Sequence, residues 1–159
     1  MAHITIEYMI MLPMLILQIF LFPLTASWLM NIWVDSRRTL ALQEAASHLG
    51  STIQQLYFSL NHETISAGTA TYSPGLPPFI ENYNYVGNAT LRAVSGSADS
   101  SKVLSITLTL AKTKISVTTS VILGSNVLWR SSVFVSNSTN ACISAQKLSD
   151  GTIRLYFGG

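Results

Sequence analysis

A long apolar segment near the N-terminus constrains this chain more than any other feature. The stretch from Tyr8 to Val34 is apolar along its length. At roughly 27 residues it is long enough to cross a bilayer as a helix. Because it is apolar on every side, it must be buried in lipid or protein. Glu7 is the only formally charged side chain before Asp35, and an ionised carboxylate costs about 2.5 kcal/mol or more inside a bilayer, so Glu7 needs a partner.

The charges divide the chain into a hydrophobic part and a polar part. All nine Lys and Arg residues and six of the seven acidic residues follow Val34. The net charge is only +2, and no basic cluster exists beyond Arg37-Arg38, so binding to nucleic acid is not predicted. The single cysteine, Cys142, cannot form an intrachain disulfide, and its alternating apolar surroundings favour a small buried side chain.

The apolar segment differs from an ordinary secretory signal peptide, because it lacks a basic region at its start and is too long. It also contains Pro13 and Pro23. Each proline removes a backbone donor and frees a carbonyl, which in lipid needs a hydroxyl or a neighbouring helix as its partner. A simple membrane anchor gains nothing evident from two prolines, whereas a helix that bends into a crowded bundle would use them.

The helical pattern continues beyond the apolar segment. Leu42, Leu49, Ile53, Leu56 and Leu60 recur at helical spacing and form one apolar stripe. We therefore predict one helix from about residue 4 to about residue 60. Three regions follow from this pattern: a hydrophobic helix over 1–34, its amphipathic continuation over 35–62 and a β-domain over 63–159.

The C-terminal region changes to a period of two, which is typical of half-buried strands. The strand signals come from alternating residues over 104–110, 115–121, 127–135, 143–145 and 153–157. Turns are predicted at 112–114, 124–126 and 149–152, and Asp150-Gly151 is a strong hairpin signal. Val127, Trp129, Val133 and Val135 are predicted to share one face. The expectation is an α+β fold, in which an antiparallel sheet of about five to seven strands packs on the second half of the helix.

The sequence predicts no catalytic, metal or cofactor site. It contains none of the common nucleotide-binding, hydrolase or metalloprotease motifs. His48 and His62 would lie about 21 Å apart on a straight helix, too far to share a metal ion. The carboxylates show no pairing typical of acid–base catalysis, so we expect no enzyme activity.

Two glycosylation sequons lie in the polar region, Asn88-Ala89-Thr90 and Asn137-Ser138-Thr139. If this region is outside the cell, Asn88 and Asn137 are candidate N-glycan acceptors.

The run His3-Ile4-Thr5-Ile6-Glu7-Tyr8, followed by an apolar helix, resembles the start of type IV pilins. The Glu-Tyr pair is most similar to archaeal pilins with class III signal peptides and to bacterial Flp/Tad pilins. The sizeable β-domain favours the archaeal type. In that family a prepilin peptidase cuts just before the apolar segment, and the glutamate is the fifth mature residue. Glu7 takes that position if the mature chain begins at His3, and position seven if Met1-Ala2 remain.

The resemblance implies a structural subunit of an extracellular pilus that serves adhesion. The subunit would be held in the membrane before assembly and would polymerise with identical copies on an assembly platform. Glu7, Tyr8, Pro13 and Pro23 would lie at subunit interfaces, and Glu7 would pair with an N-terminal amine to set axial register. The alternative is a minor pilin-like or bitopic membrane protein displaying a ligand-binding β-domain.

Overall fold

The protein has one long helix followed by eight strands in its described part, which confirms the predicted α+β class. The computed structural model describes residues 2–94 and 100–158, with side chains from Met9 onward. Helix α1 covers Ala2–Leu60, close to the bounds expected from the sequence. Backbone contacts divide the chain into two compact units, residues 1–37 and residues 38–159.

The strands of the second unit form two four-stranded sheets. The first, sheet I, has the order β1-β7-β8-β5, and the second, sheet II, has the order β4-β3-β2-β6. The strands are β1 (Gly68–Tyr72), β2 (Tyr85–Ala93), β3 (Lys102–Leu110), β4 (Ser116–Leu123), β5 (Val127–Trp129), β6 (Val133–Val135), β7 (Cys142–Lys147) and β8 (Ile153–Gly158).

The predicted leucine stripe of α1 lies in the core of the second unit. Leu42, Leu49 and Ile53 are fully buried, and Leu56 is partly buried against the same core. Gly50 allows close packing here, because a Cβ atom at this position would lie only 2.9 Å from Cγ2 of Val121. The sheets complete the core with alternate residues of their strands, including Leu104, Ile106, Leu108, Leu110, Ile143, Ile153 and Leu155.

A side-chain network joins the end of α1 to the turn after β4. The hydroxyl of Tyr57 donates to Oδ1 of Asn126 at 3.1 Å, and Nδ2 of Asn126 donates to Oδ1 of Asn61 at 2.8 Å. The same Nδ2 donates to the carbonyl oxygen of Gly151 at 3.0 Å. One asparagine therefore links the helix end, the turn and the β7–β8 hairpin.

The predicted hairpin at Asp150-Gly151 and the predicted turn at 112–114 are confirmed. β3 and β4 are joined through Lys112, whose φ of 59° is left-handed. β7 and β8 are joined through Gly151, whose φ of 82° favours glycine. Before this glycine, Oδ1 of Asp150 accepts a hydrogen bond from the backbone N–H of Thr152 at 2.9 Å, so the turn is held by its own side chain.

The expectation of a single antiparallel sheet was wrong. Two sheets form, and β5 pairs with β8 in parallel. The chain crosses from sheet I to sheet II between β5 and β6, which interrupts the period of two. As a result Phe134 is buried, while Val133 is exposed and Val135 is half-buried, so these two valines do not share a core face with Val127. Strand β1 begins at Gly68 and is followed by Pro74, Gly75, Pro77 and Pro78, a composition that is typical of loop and turn rather than strand.

Candidate functional site: the exposed apolar helix

The first unit exposes an apolar surface all round its helix. Every side chain from Met9 to Trp33 is exposed, and large ones such as Phe22 leave 77% of their surface uncovered. By length and composition, α1 is long and apolar enough to cross a membrane. Such a surface is stable only when lipid or other protein covers it.

Pro13 and Pro23 both lie inside α1. The hydroxyl of Thr25 donates to the carbonyl oxygens of Leu21 at 3.1 Å and Phe22 at 3.0 Å. These are not the carbonyl that Pro23 frees, which belongs to Ile19, four residues earlier. The hydroxyl of Thr25 therefore bonds carbonyl groups near the proline, but not the one that the proline frees.

A concavity of about 630 Å³ lies beside Pro23 on the helix surface. Its lining is mainly apolar, with the polar side chains of Gln18 and Thr25 among Leu15, Ile19, Leu21 and Phe22. Gln18 is a polar group that the sequence analysis did not single out. A glutamine within an otherwise apolar helix was the signal that could have identified it, because an amide in lipid also needs a partner.

Glu7 and Tyr8 lie in the first turns of α1 by their backbone. Their side chains fall outside the described residues, so their predicted interface role stays a prediction. At the other end of the apolar segment, the guanidinium of Arg37 lies 5.0 Å from the ring centre of Trp33. A tryptophan and a cation at the end of an apolar helix suit a membrane–water interface.

The two sequon asparagines are both exposed, in different local structures. Asn88 lies within β2, opposite Thr107 of β3 and Val133 of β6. Asn137 follows β6 in a turn closed by a 3.1 Å hydrogen bond from the N–H of Ser138 to the carbonyl oxygen of Val135. Exposure meets one requirement for glycan attachment at each site.

A polar recess lies beside the second sequon. Its volume is about 210 Å³, and its lining includes the hydroxyl side chains of Ser73, Ser136, Ser138 and Thr139. The hydroxyl of Ser136 already donates to the carbonyl oxygen of Pro78 at 2.8 Å. The recess can offer hydroxyl groups to a polar ligand, but it has no charged side chain in its lining.

Two titratable groups of the second unit, Tyr85 and Asp150, have shifted pKa values and make hydrogen bonds within the fold. Burial raises the pKa of Tyr85 to about 12, and its hydroxyl donates to the carbonyl oxygen of Pro77 at 2.8 Å. The hydrogen bond from the backbone of Thr152 lowers the pKa of Asp150. Within the described residues, no three His, Cys, Asp or Glu side chains are grouped so that they could hold a metal ion.

Comparison of the chain with protein-family models, curated proteins and solved structures found no match.

Proposed function

We propose that this protein is a structural subunit of an extracellular pilus of the type IV kind, which polymerises through its N-terminal helix. The observation that carries the proposal is the exposed apolar surface from Met9 to Trp33, in a chain whose second unit has its own buried core. A helix that is apolar on every side suits the centre of a filament, where neighbours contact it all round. The same surface suits a bilayer before assembly.

Glu7 has a specific place in this proposal. Its carboxylate would enter the filament core with the apolar helix, where an unpaired charge is strongly destabilising. An N-terminal amine of the same or a neighbouring subunit is a counter-charge present in every copy. Pairing with it would fix the axial register of adjacent helices.

The second unit would form the outer layer of the filament and carry its contacts for adhesion. Its exposed sequon asparagines, Asn88 and Asn137, would carry N-glycans there. Mass spectrometry of peptides from the native protein, before and after enzymatic removal of glycans, tests each site separately.

Electron microscopy of material sheared from cells tests the central proposal, together with N-terminal sequencing of the same protein band. We expect helical filaments made of this chain, with a mature N-terminus near His3. If the protein stays with the membranes and the sheared fraction holds no filament of it, the proposal is wrong.

A membrane protein that displays a ligand-binding domain is the second candidate. The hydroxyl-lined recess at Ser136, Ser138 and Thr139 favours it, because a polymer subunit does not require such a recess. This candidate predicts that the protein remains in the membrane and that substitutions in the recess abolish ligand binding without changing the amount of protein.

A further inference from the structure

Each sheet of the second unit ends in two edge strands, which have a strand partner on only one side among the described residues. β4 ends sheet II and β1 ends sheet I. The opposite edges, β5 and β6, are only three residues long. The segment that joins β5 to β6 also bonds to β8. The N–H of Arg130 donates to the carbonyl oxygen of Leu155 at 2.9 Å, and the N–H of Phe157 donates to Oγ of Ser132 at 2.8 Å. β1 and β4 are therefore the longer edge strands, with five and eight residues.

The open edge of β4 presents a row of backbone groups. The N–H of Leu110 donates to the carbonyl oxygen of Ile115 at 3.0 Å, and the register of β3 with β4 continues from that pair. In an antiparallel ladder the bonded residues alternate, so Val117, Thr119 and Val121 bond β3. The N–H and C=O groups of the alternate residues, Ser116, Thr118, Ser120 and Ile122, point away from β3.

This edge lacks the features that keep natural edges from pairing. β4 is eight residues long, with the sequence SVTTSVIL, and contains no charged residue and no proline. Edge strands that stay unpaired are usually short or carry lysine, proline or a bulge. β4 has none of the charge or proline protection, and it is much longer than β5 or β6.

A groove runs beside the same edge. Its volume is about 350 Å³, and it lies between Ser47, Gly50, Ser51 and Gln54 of α1 and residues 119–122 of β4. Because consecutive strand residues point to opposite faces, a groove that touches all four of them must follow the edge. The small side chains of Ser47 and Ser51 leave room there for the side chains of an added strand.

We propose that the open edge of β4 pairs with β1 of a second copy of this chain, so that neighbouring subunits share a continuous sheet. This inference rests on the proposed polymer. β1 has the sequence GTATY, which is uncharged, and all but its central residue are exposed. When β4 of one subunit pairs with β1 of the next, the assembly keeps a free β1 edge at one end and a free β4 edge at the other, so further subunits can add. Pairing of β4 with β4 of a second copy would instead close a dimer.

Hydrogen exchange of the full-length protein tests the pairing directly. Amides of β4 would be compared between filaments and subunits solubilised in detergent. We expect the exchange rates of the Thr118, Ser120 and Ile122 amides to be lower in filaments by about tenfold or more, because these amides gain backbone partners. Filaments that form while these amides keep their subunit rates would overturn this inference alone. Absence of filaments would overturn the proposed function and this inference together.

Two substitutions at one position provide a matched test. Ser120→Pro removes an N–H that faces the open edge and leaves the β3 ladder its donors, whereas Ser120→Ala keeps the N–H. We expect Ser120→Pro to lower filament yield about tenfold or more and Ser120→Ala to leave it unchanged. Equal yields from the two variants, with both subunits melting like the wild type, would contradict the proposal. If Ser120→Pro does not fold, the exchange rates decide.

Cross-linking identifies the strand that binds β4. In a Cys142→Ser background, a short bismaleimide reagent is applied to filaments carrying Thr69→Cys and Ser120→Cys together, or either one alone. We expect a ladder of covalent multimers from the double variant and single chains from each single variant. Dimers from Ser120→Cys alone would show β4 paired with itself and overturn β1 as the partner, as would protected β4 amides without any ladder.

Discussion

Nε of Arg38 lies 2.8 Å from Oε2 of Glu81, so the first residue of the second unit is ion-paired to a turn 43 residues further along the chain. The guanidinium also lies 5.2 Å from the ring centre of Tyr83. The turn is tight, since Ile80 and Tyr83 exchange two backbone hydrogen bonds of 2.9 and 3.0 Å. Glu81 and Asn82 within it have φ values of 46° and 71°. A glutamate in this conformation is unusual, and the ion pair stabilises it there.

Arg38→Ala should lower the free energy of unfolding of the second unit by about 0.5–1 kcal/mol, because a half-exposed ion pair and a ring contact are lost. Arg37→Ala is the matched control, since its ring partner Trp33 lies in the first unit. The measurement is urea unfolding of the full-length protein in detergent, followed by the circular dichroism of the sheets. Equal effects from the two arginines would contradict the stabilising role of the Glu81 pair.

Ile53→Ala should destabilise the second unit by about 2–5 kcal/mol, because it leaves a cavity in a fully buried position. Leu40→Ala removes a similar side chain from the same helix, but Leu40 is 63% exposed. Its effect should stay within about 0.5 kcal/mol. Thermal unfolding of both variants in the same detergent distinguishes the buried stripe from the exposed face, and a large effect at Leu40 would count against the stripe.

Gly87→Ala should cost about 1–3 kcal/mol through overpacking. A Cβ atom at Gly87 would lie 2.7 Å from Cδ2 of Leu108 and 3.1 Å from Cβ of Phe134. Gly68→Ala is the control, because its nearest contact would be 3.9 Å away and its φ is not left-handed. We expect that control to be neutral or slightly stabilising. Comparable losses at the two glycines would refute the tight packing between β2, β3 and β6.

Asp150 should make the stability of the second unit depend on pH at the acidic end. Its folded pKa is below its ordinary value, so the unfolded state takes up the proton first as the pH falls. The contribution is complete above the unfolded pKa and disappears as the pH falls through the folded pKa. Asp150→Asn, which keeps an acceptor but does not titrate, should flatten this part of the curve. Identical acid profiles for wild type and variant would exclude the effect.

Glu7→Ala should reduce filament yield strongly while the second unit melts as in the wild type, if the carboxylate pairs with an N-terminal amine in the core. Glu7→Gln keeps the size and polarity of the side chain but removes its charge. Both variants should therefore assemble poorly. Normal filaments from Glu7→Gln would show that charge is not required, and normal filaments from both would remove the register role.

Local patterns in the sequence determined the elements of this protein well. The stripe of Leu42, Leu49 and Ile53 predicted a helix and its buried face, because residues three, four or seven positions apart lie on the same side of a helix. The turn at Asp150-Gly151 predicted a hairpin, since a short hairpin loop needs positive φ values, which glycine adopts without strain. The exposed apolar helix of the candidate site also followed from composition alone.

The tertiary structure decided how the strands are arranged. The chain changes sheets between Trp129 and Val133, and no local pattern in the sequence indicates this change. Because of it, Phe134 rather than Val133 lies in the core. The segment of β1 forms a strand because it pairs with β7, where Thr71 lies opposite Ser144, 73 residues further along the chain. Pairing between such distant segments cannot be predicted from a local periodicity. The open edge of β4 has the same origin. Its sequence is that of any strand, and only the order of the sheet leaves one side of it without a partner.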